Sequence, residues 1–352
     1  MKAVIFKGAN APLQLADIPK PSPGEGEILI RVASTGVCHS DIHHMKGELL
    51  GFMPPEGFIL GHEISGWVED FGPNVTNPYG LQKGDPVIVS WIVPCGKCRY
   101  CASGKENYCN NVMMKMPGII GINGGHAEYT SVPEIAVIPA REIKDMIASS
   151  PVSCAYGTAY GALKTAGASA GQSIVVVGTG GVGSAAIQLA SVMGLYPIIA
   201  VDVVDSKLAK VKELGATHTV NPNKEDPVGK ITEILPEGAD IVYETKPNPD
   251  LQIAFNVVNK SGTMVVTGLG NATSSTINLM TNLFVGRGLR LVGSLGYRPR
   301  IDLPELVRMV ASGKLDVKKL VTHVYRPDEI NTAYENLEKG LHLRAIIDWT
   351  KL

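Results

Sequence analysis

The sequence carries no excess of either charge: 32 Lys and Arg residues balance 33 Asp and Glu, for a formal net charge of −1. A general nucleic-acid binder needs a clustered basic surface to neutralise phosphates, so no nucleic-acid partner is expected. No secretory signal is expected either, because MKAVIFKGANAPLQL has no apolar h-region followed by a small-residue cleavage site. Charged side chains are missing altogether from Thr165 to Val201. That run is nevertheless broken by many glycines, two glutamines and Pro197, and its apolar pieces IVVVG and PIIAV are far shorter than the roughly twenty residues of a bilayer span. It reads as strand, turn, helix and strand within one domain, with no membrane partner. Internal repeats and low-complexity tracts are also missing.

Cysteine is sparse, with six residues at Cys38, Cys95, Cys98, Cys101, Cys109 and Cys154. Without a secretory signal the expected setting is reducing and cytoplasmic, where cysteines serve as metal ligands or reactive thiols more often than as disulfides. What is present is a chain of 352 residues, 45% apolar and 18% charged, long enough for two domains of ordinary size. Small-molecule chemistry is the expected class.

The first part, to about Ser150, reads as β-rich. Short runs such as MKAVIF, GEILIRV, ISGWVEDF, DPVIVSWIV and AEYTSV are separated by clusters such as PKPSPGEGE and DFGPNVTNPYG. Irregular loops lie between them. One, from Val37 to Gly66, gathers a cysteine, four histidines, several acids and two serines into a polar island, with Cys38 and His62 as candidate zinc ligands near its ends. Another, PCGKCRYCASGKENYC, has the spacing Cys95-x2-Cys98-x2-Cys101-x7-Cys109. Four thiolates so spaced can close a tetrahedral zinc site with no open position, which makes it structural. An iron–sulfur cluster competes for this spacing, but its bacterial motif continues after three residues with Cys-Pro, where this chain has a gap of seven and then Asn110.

After Ser150 the pattern alternates strand and helix. An apolar strand, Ser173 to Val177, runs into Gly178-Thr179-Gly180-Gly181-Val182-Gly183, then the helical run SAAIQLASVMG, the strand PIIAV and Asp202. In that context the glycines mark a dinucleotide turn, where backbone approaches a pyrophosphate at a helix N-terminus. Asp202 would accept hydrogen bonds from ribose hydroxyls and repel a 2′-phosphate, which favours NAD over NADP. Further segments, SKLAKVKELG, DIVYE, LQIAFNVV, GTMVVTGLG and RLVGS, extend a doubly wound sheet to near Gly296. The remaining segments, DLPELVRMVASGK, THVYRP, EINTAYENLEKG and RAIIDW, read as a return to the first domain.

With these motifs in order, the whole chain resembles the medium-chain, zinc-dependent alcohol dehydrogenases. The specific match is Gly61-His62-Glu63-x2-Gly66-x5-Gly72-x2-Val75, accompanied by the CHSD segment, the four-cysteine loop and the GTGGVG turn. The resemblance implies a GroES-like β-rich catalytic domain over 1–155 and 296–352, and a Rossmann doubly wound NAD-binding domain over 156–295. It implies two zinc ions per chain, a catalytic one on Cys38, His62 and Cys154 and a structural one on the four-cysteine loop. Cys154 enters through PVSCAYGTAYGALK, similar to the family segment that supplies the third ligand. Polyol-type relatives have a glutamate in this region, so a cysteine points to the alcohol dehydrogenase branch.

The resemblance also divides the polar island by role. Ser40 and His43 would form the proton path, histidine being suited by an ordinary pKa near neutrality. Asp41 would accept a hydrogen bond from the zinc-binding histidine, and Glu63 would stand behind the metal. His39, Lys207 and Arg344 are expected at the cofactor, and Trp91 in the substrate pocket. The loops Leu49–Phe58 and Met113–Pro117 depart from the family's pattern, so the resemblance implies nothing about an outer pocket. The implied activity is reversible oxidation of a primary or secondary alcohol to an aldehyde or ketone by a homo-oligomer, a tetramer before a dimer. A zinc dehydrogenase for a polyol or a hydroxyacyl thioester, and an inert structural protein of the same fold, are the alternatives.

Overall fold

The computed structural model describes residues 1–48, 53–247, 249, 251–269, 276–277 and 279–352. The chain divides into two compact units, Met1–Gly157 with Tyr297–Leu352, and Thr158–Gly296.

The first unit is built on the long strand Glu27–Gly36, whose pattern EILIRVASTG buries nearly every residue. One edge pairs antiparallel with Ile64–Phe71, and the other is shared by Tyr129–Pro133 and the C-terminal strand Arg344–Asp348. Pro86–Val89 and Val137–Pro139 extend the sheet beyond Ile64–Phe71, and Val321–Tyr325 pairs parallel with Arg344–Asp348. The last fifty residues thus rejoin the first domain by strand pairing. Their Ile330, Tyr334, Ile347 and Trp349 pack in one core with Ile28, Ile30, Ile64 and Val87.

Among its described residues the second unit contains six parallel strands, Ile174–Val177, Ile198–Val201, His218–Val220, Ala239–Glu244, Val258–Val266 and Arg290–Gly293. Numbered within the unit they lie in the order 3-2-1-4-5-6, the doubly wound arrangement that binds dinucleotides at the carboxyl ends of its strands. Four-residue runs such as IVVV and IIAV are fully buried, as parallel strands covered on both faces must be. The last residue of the expected strand GTMVVTGLG lies outside the described residues. No helix among the described residues is long and apolar enough to cross a membrane.

Elements that differ from the sequence reading include two helices. The segment after Cys38 is not an irregular loop but the helix His39–Lys46, ended by Gly47 in the left-handed conformation (φ 68°). Its composition is polar, yet Asp41, Ile42 and His44 are buried, so packing rather than propensity holds it. A further helix, Pro227–Ile234, begins at Asp226, whose side chain accepts hydrogen bonds from the amides of Val228 and Gly229.

The four-cysteine lobe is tied to the returning segment by an ion pair. Glu106, 3% exposed, faces the Arg300 guanidinium and also accepts a hydrogen bond from the Arg300 amide at 3.2 Å. Removing the arginine strands a buried carboxylate. Because Arg300 is itself half exposed, the cost falls below the roughly 3–5 kcal/mol of a fully buried pair, at about 2 kcal/mol. Arg300→Ala is expected to lower the melting temperature by about 4–8 °C, at about 2–4 °C per kcal/mol, without changing zinc content. Calorimetry alongside metal analysis checks both halves of that statement.

Candidate active site

Strand register assembles the first cluster. Thr35 stands opposite Ile64, and the ladder continues through the Gly36 amide to the Glu63 carbonyl at 2.9 Å. Cys38 lies two residues beyond Gly36 and His62 one residue before Glu63, so this end of the strand pair brings them into one cluster. The third member arrives on a 3-10 helix, Ile147–Ser153, whose C-cap is Cys154. Buried serines fasten that helix to the sheet: Ser34 Oγ donates to the Ile147 carbonyl, Ser65 Oγ donates to the Met146 carbonyl, and Ser153 Oγ accepts from the Ile64 amide.

The result is a fully buried set in which one donor atom each from Cys38, His62, Glu63 and Cys154 lie within 4.8 Å of one another. His62 Nδ1 faces Asp41 Oδ1 at 3.3 Å, which leaves Nε2 for the cluster. The donor set suits a zinc ion. Without a cation the two thiols compete for one proton, so that contact with Cys154 lowers Cys38 well below the usual thiol range while Cys154 is raised. Burial pushes Glu63 up to about 7 against the pull of Arg344. Among the described residues neither Glu63 oxygen has a hydrogen-bond partner. Arg344 Nη1 stands 3.1 Å from Glu63 Oε1, close enough for an ion pair but without hydrogen-bond geometry, and donates instead to the Val37 carbonyl at 2.8 Å. Two thiols and a carboxyl beside one cationic side chain, once deprotonated, leave negative charge for a metal to compensate.

The second cluster is Cys95, Cys98, Cys101 and Cys109, again within 4.8 Å of one another. Measured pairs are 4.0 Å for Cys95–Cys101, 3.6 Å for Cys98–Cys101 and 3.9 Å for Cys98–Cys109. Thiolates about 2.3 Å from a tetrahedral zinc lie about 3.8 Å apart. That spacing has room for a single ion and none for the several irons and sulfides of a cluster. Backbone amides stabilise the sulfurs: those of Cys101 and Asn110 hold the Cys98 thiol down at about 6, while burial pushes Cys101 up to about 12.

The remaining expected residues are placed as follows. Asp41 is buried; burial raises its carboxyl, but the charge and hydrogen bond of His62 outweigh this and hold it below the ordinary range. Ser40 Oγ lies 3.9 Å from Cys38 Sγ. His43 is half-buried, its Nδ1 paired with Glu48 Oε2 at 2.6 Å, and Ser40 and His43 share no direct hydrogen bond. His39, exposed, opens the same helix. Trp91 is buried, edge-on to His62 with ring centroids 6.4 Å apart and to Tyr297 at 5.9 Å, and its indole nitrogen has no partner among the described residues. Residues 49–52 of the loop Leu49–Phe58 lie outside the described residues.

In the second unit, Gly178 has φ +89°, and a Cβ on Gly183 would stand 1.9 Å from the Gly178 carbonyl oxygen, so both positions require glycine. A Cβ on Gly180 would meet nothing within 4 Å, and the helix Gly181–Val192, with Gly181 and Val182 in its first turn, starts there. Asp202 clasps the turn, accepting from the Thr179 amide at 2.7 Å and the Thr179 hydroxyl at 2.8 Å. Lys207 is half-buried on the helix Asp205–Glu213.

Sequence reasoning missed Glu48, Tyr297, the three buried serines and, beside Asp41, Tyr334 and His126. The one available signal was His126 itself, a lone imidazole between Gly-Gly and a strand.

Residues 24–142 match the family model described as alcohol dehydrogenase GroES-like domain, and residues 181–312 match that described as zinc-binding dehydrogenase. The chain is 33% identical to an alcohol dehydrogenase of Geobacillus stearothermophilus, covering 97% of each protein. It is 34% identical to an NAD-dependent alcohol dehydrogenase of Sulfurisphaera tokodaii, covering 96% of each. Among solved structures it is similar to benzyl alcohol dehydrogenase from Acinetobacter calcoaceticus, with TM-score 0.90 and 31% identity over 99% of this chain and 98% of that one.

Proposed function

Because the chain belongs to the medium-chain, zinc-dependent alcohol dehydrogenase family, we propose that it interconverts a primary or secondary alcohol and the matching aldehyde or ketone with NAD. The observation that carries this reading is the buried convergence of Cys38, His62 and Cys154. These would hold a catalytic zinc, and Cys95, Cys98, Cys101 and Cys109 a structural one. When bound, zinc supplies a Lewis acid for the alcohol oxygen and NAD supplies the hydride acceptor.

The chain's own residues handle position and protons. Ser40 Oγ takes the hydroxyl proton. His43 would receive it farther along the path at Nε2, because its Nδ1 is engaged by Glu48. Asp41 holds the His62 tautomer, and Glu63 with Arg344 sets the charge behind the metal. Trp91 narrows the space beside His62, which favours an apolar substituent over a polyol. In the second unit the amides of Gly181 and Val182 would receive the pyrophosphate, with Lys207 as a cationic neighbour of the cofactor.

Asp202 would select NAD. Asp202→Gly is expected to lower kcat/KM for NAD about tenfold or more, the worth of a hydrogen bond to a charged group, and to shift the NAD/NADP ratio by a similar factor. An unchanged ratio would remove the assignment.

The test of the whole reading is a screen of zinc-loaded protein with NAD and NADP against primary and secondary alcohols, polyols, hydroxyacyl thioesters and aldehydes. Turnover confined to simple alcohols and their carbonyl partners with NAD is expected. No turnover with any of them would overturn the proposal. A cytoplasmic homotetramer is the assembly we propose, and size-exclusion chromatography with light scattering checks it.

A further inference from the structure

Behind Asp41 a line of buried polar side chains leads away from the metal cluster, and none of its outer members has a role in the chemistry above. The Trp349 indole donates to Thr35 Oγ1 at 3.1 Å. Thr35 Oγ1 lies 2.8 Å from His126 Nδ1, and His126 Nε2 lies 2.7 Å from the Tyr334 hydroxyl. That hydroxyl donates to Asp41 Oδ2 at 2.9 Å, and Asp41 Oδ1 faces His62 Nδ1 at 3.3 Å and the Gly61 amide at 3.4 Å. Every residue in the line is buried, with Trp349, at 4%, the most exposed.

For a neutral His126 the carboxylate end fixes the direction of the bonds. A carboxylate can only accept and an indole N–H can only donate. The single Tyr334 hydroxyl proton goes to Asp41, so the Tyr334 oxygen accepts from His126 Nε2–H. His126 Nδ1 then carries the lone pair, and the Thr35 hydroxyl donates to it while the Thr35 oxygen accepts from Trp349. A doubly protonated His126 would break this order, and burial, pushing its pKa down to about 4, opposes that form. The His126 ring has a second hold on the site. Gly61 has φ +90°, and a Cβ there would sit 2.7 Å from the His126 ring, so the imidazole occupies the place of the missing side chain immediately before His62.

We propose that His126 and Tyr334 are positioning residues of the metal site, orienting Asp41, and through it the Nδ1–H tautomer of His62, by a one-directional hydrogen-bond line anchored at Trp349. The inference rests on the reading of His62 as a zinc ligand. With Oδ2 occupied by Tyr334, Asp41 has Oδ1 aimed at His62, and the lone pair of His62 Nε2 stays directed at the sulfurs. Outer partners of metal-bound histidines typically alter metal affinity by about 10–100-fold, and a residue one bond further out falls at the lower end.

The test is zinc release to a chromogenic chelator from the zinc-loaded protein, with the catalytic-site phase identified as the one missing from Cys38→Ala. Tyr334→Phe, which removes one oxygen and keeps the packed ring, is expected to speed that phase about tenfold and to leave the four-cysteine phase unchanged. His126→Phe should do the same, and His126→Gln, which retains an N–H toward Tyr334, should recover much of the slow release. Nitrogen-15 NMR of histidine-labelled wild type should show His126 as the Nε2–H tautomer. Equal release rates in wild type and folded Tyr334→Phe, or a wild-type His126 protonated at Nδ1, would overturn the inference alone. A wild type that shows no catalytic-site phase would overturn the ligand reading, and this inference with it.

Discussion

Cys38→Ala is expected to lower kcat/KM by about a thousandfold or more and to remove one of two zinc ions, leaving the fold intact. The magnitude follows from what the metal supplies: several kcal/mol of stabilisation for charge developing on oxygen, at about 1.4 kcal/mol per tenfold in rate. The cluster has no spare thiolate to take over. Once Cys38 is gone, the donors within reach are His62, Cys154 and Glu63, and the last is drawn toward Arg344. The fold should tolerate the change, because Cys38 caps the helix His39–Lys46 with its backbone and makes no side-chain capping bond. Three measurements on one preparation decide the matter: zinc per chain, circular dichroism and turnover with NAD. Normal activity with two zinc ions retained would remove Cys38 from the ligand set, and a collapsed spectrum would show a folding role that its position does not suggest.

The parts of this site that were legible in the sequence are those carried by short spacings. His62 and Glu63 lie in one signature, the four cysteines lie within fifteen residues, and the glycine turn sits between an apolar strand and a helix. The fold class was legible for the same reason: fully buried runs such as IVVV and IIAV read as parallel strands, and ISGWVEDF matches its strand from Ile64 to Phe71. Physical reasoning from residues alone stopped at long-range pairing. Nothing in the vicinity of Cys154 points to Cys38; only a resemblance joined them, and the structure shows the means, three buried serines holding a 3-10 helix on the sheet. Tyr334 was hidden likewise, because it reads as an ordinary aromatic in a helix until the C-terminal segment rejoins the first core. The helix His39–Lys46 was misread because its sequence is polar and its stability comes from burying Asp41, Ile42 and His44 in tertiary contacts. The helix Pro227–Ile234 had a readable start, Asp226 followed by a proline at the first helical position, and was passed over.

Loss of the four-cysteine metal should show in stability before it shows in chemistry. Cys101 is an informative position, being buried, like Cys109, while Cys95 and Cys98 are partly exposed. The lobe around it has little else to hold it: a four-residue helix, Arg99–Ala102, two 3-10 turns, and the Glu106–Arg300 pair. Zinc contributes about 10–16 kcal/mol to folding in small zinc-finger peptides, and forfeiting about a third of that corresponds to a melting temperature lower by roughly 10 °C at about 2–4 °C per kcal/mol. Cys101→Ser is therefore expected to melt about 10 °C lower, to hold one zinc fewer and to be cut by proteases between residues 95 and 118. At a temperature where it remains folded, kcat should stay within a fewfold of wild type. The contrast with Cys38→Ala is the decisive feature, since one variant loses rate with its fold kept and the other loses stability with its rate kept. A Cys101→Ser protein with wild-type melting and full zinc content would remove Cys101 from the ligand set. One as inactive as Cys38→Ala while still folded would place the lobe in the chemistry rather than in the scaffold.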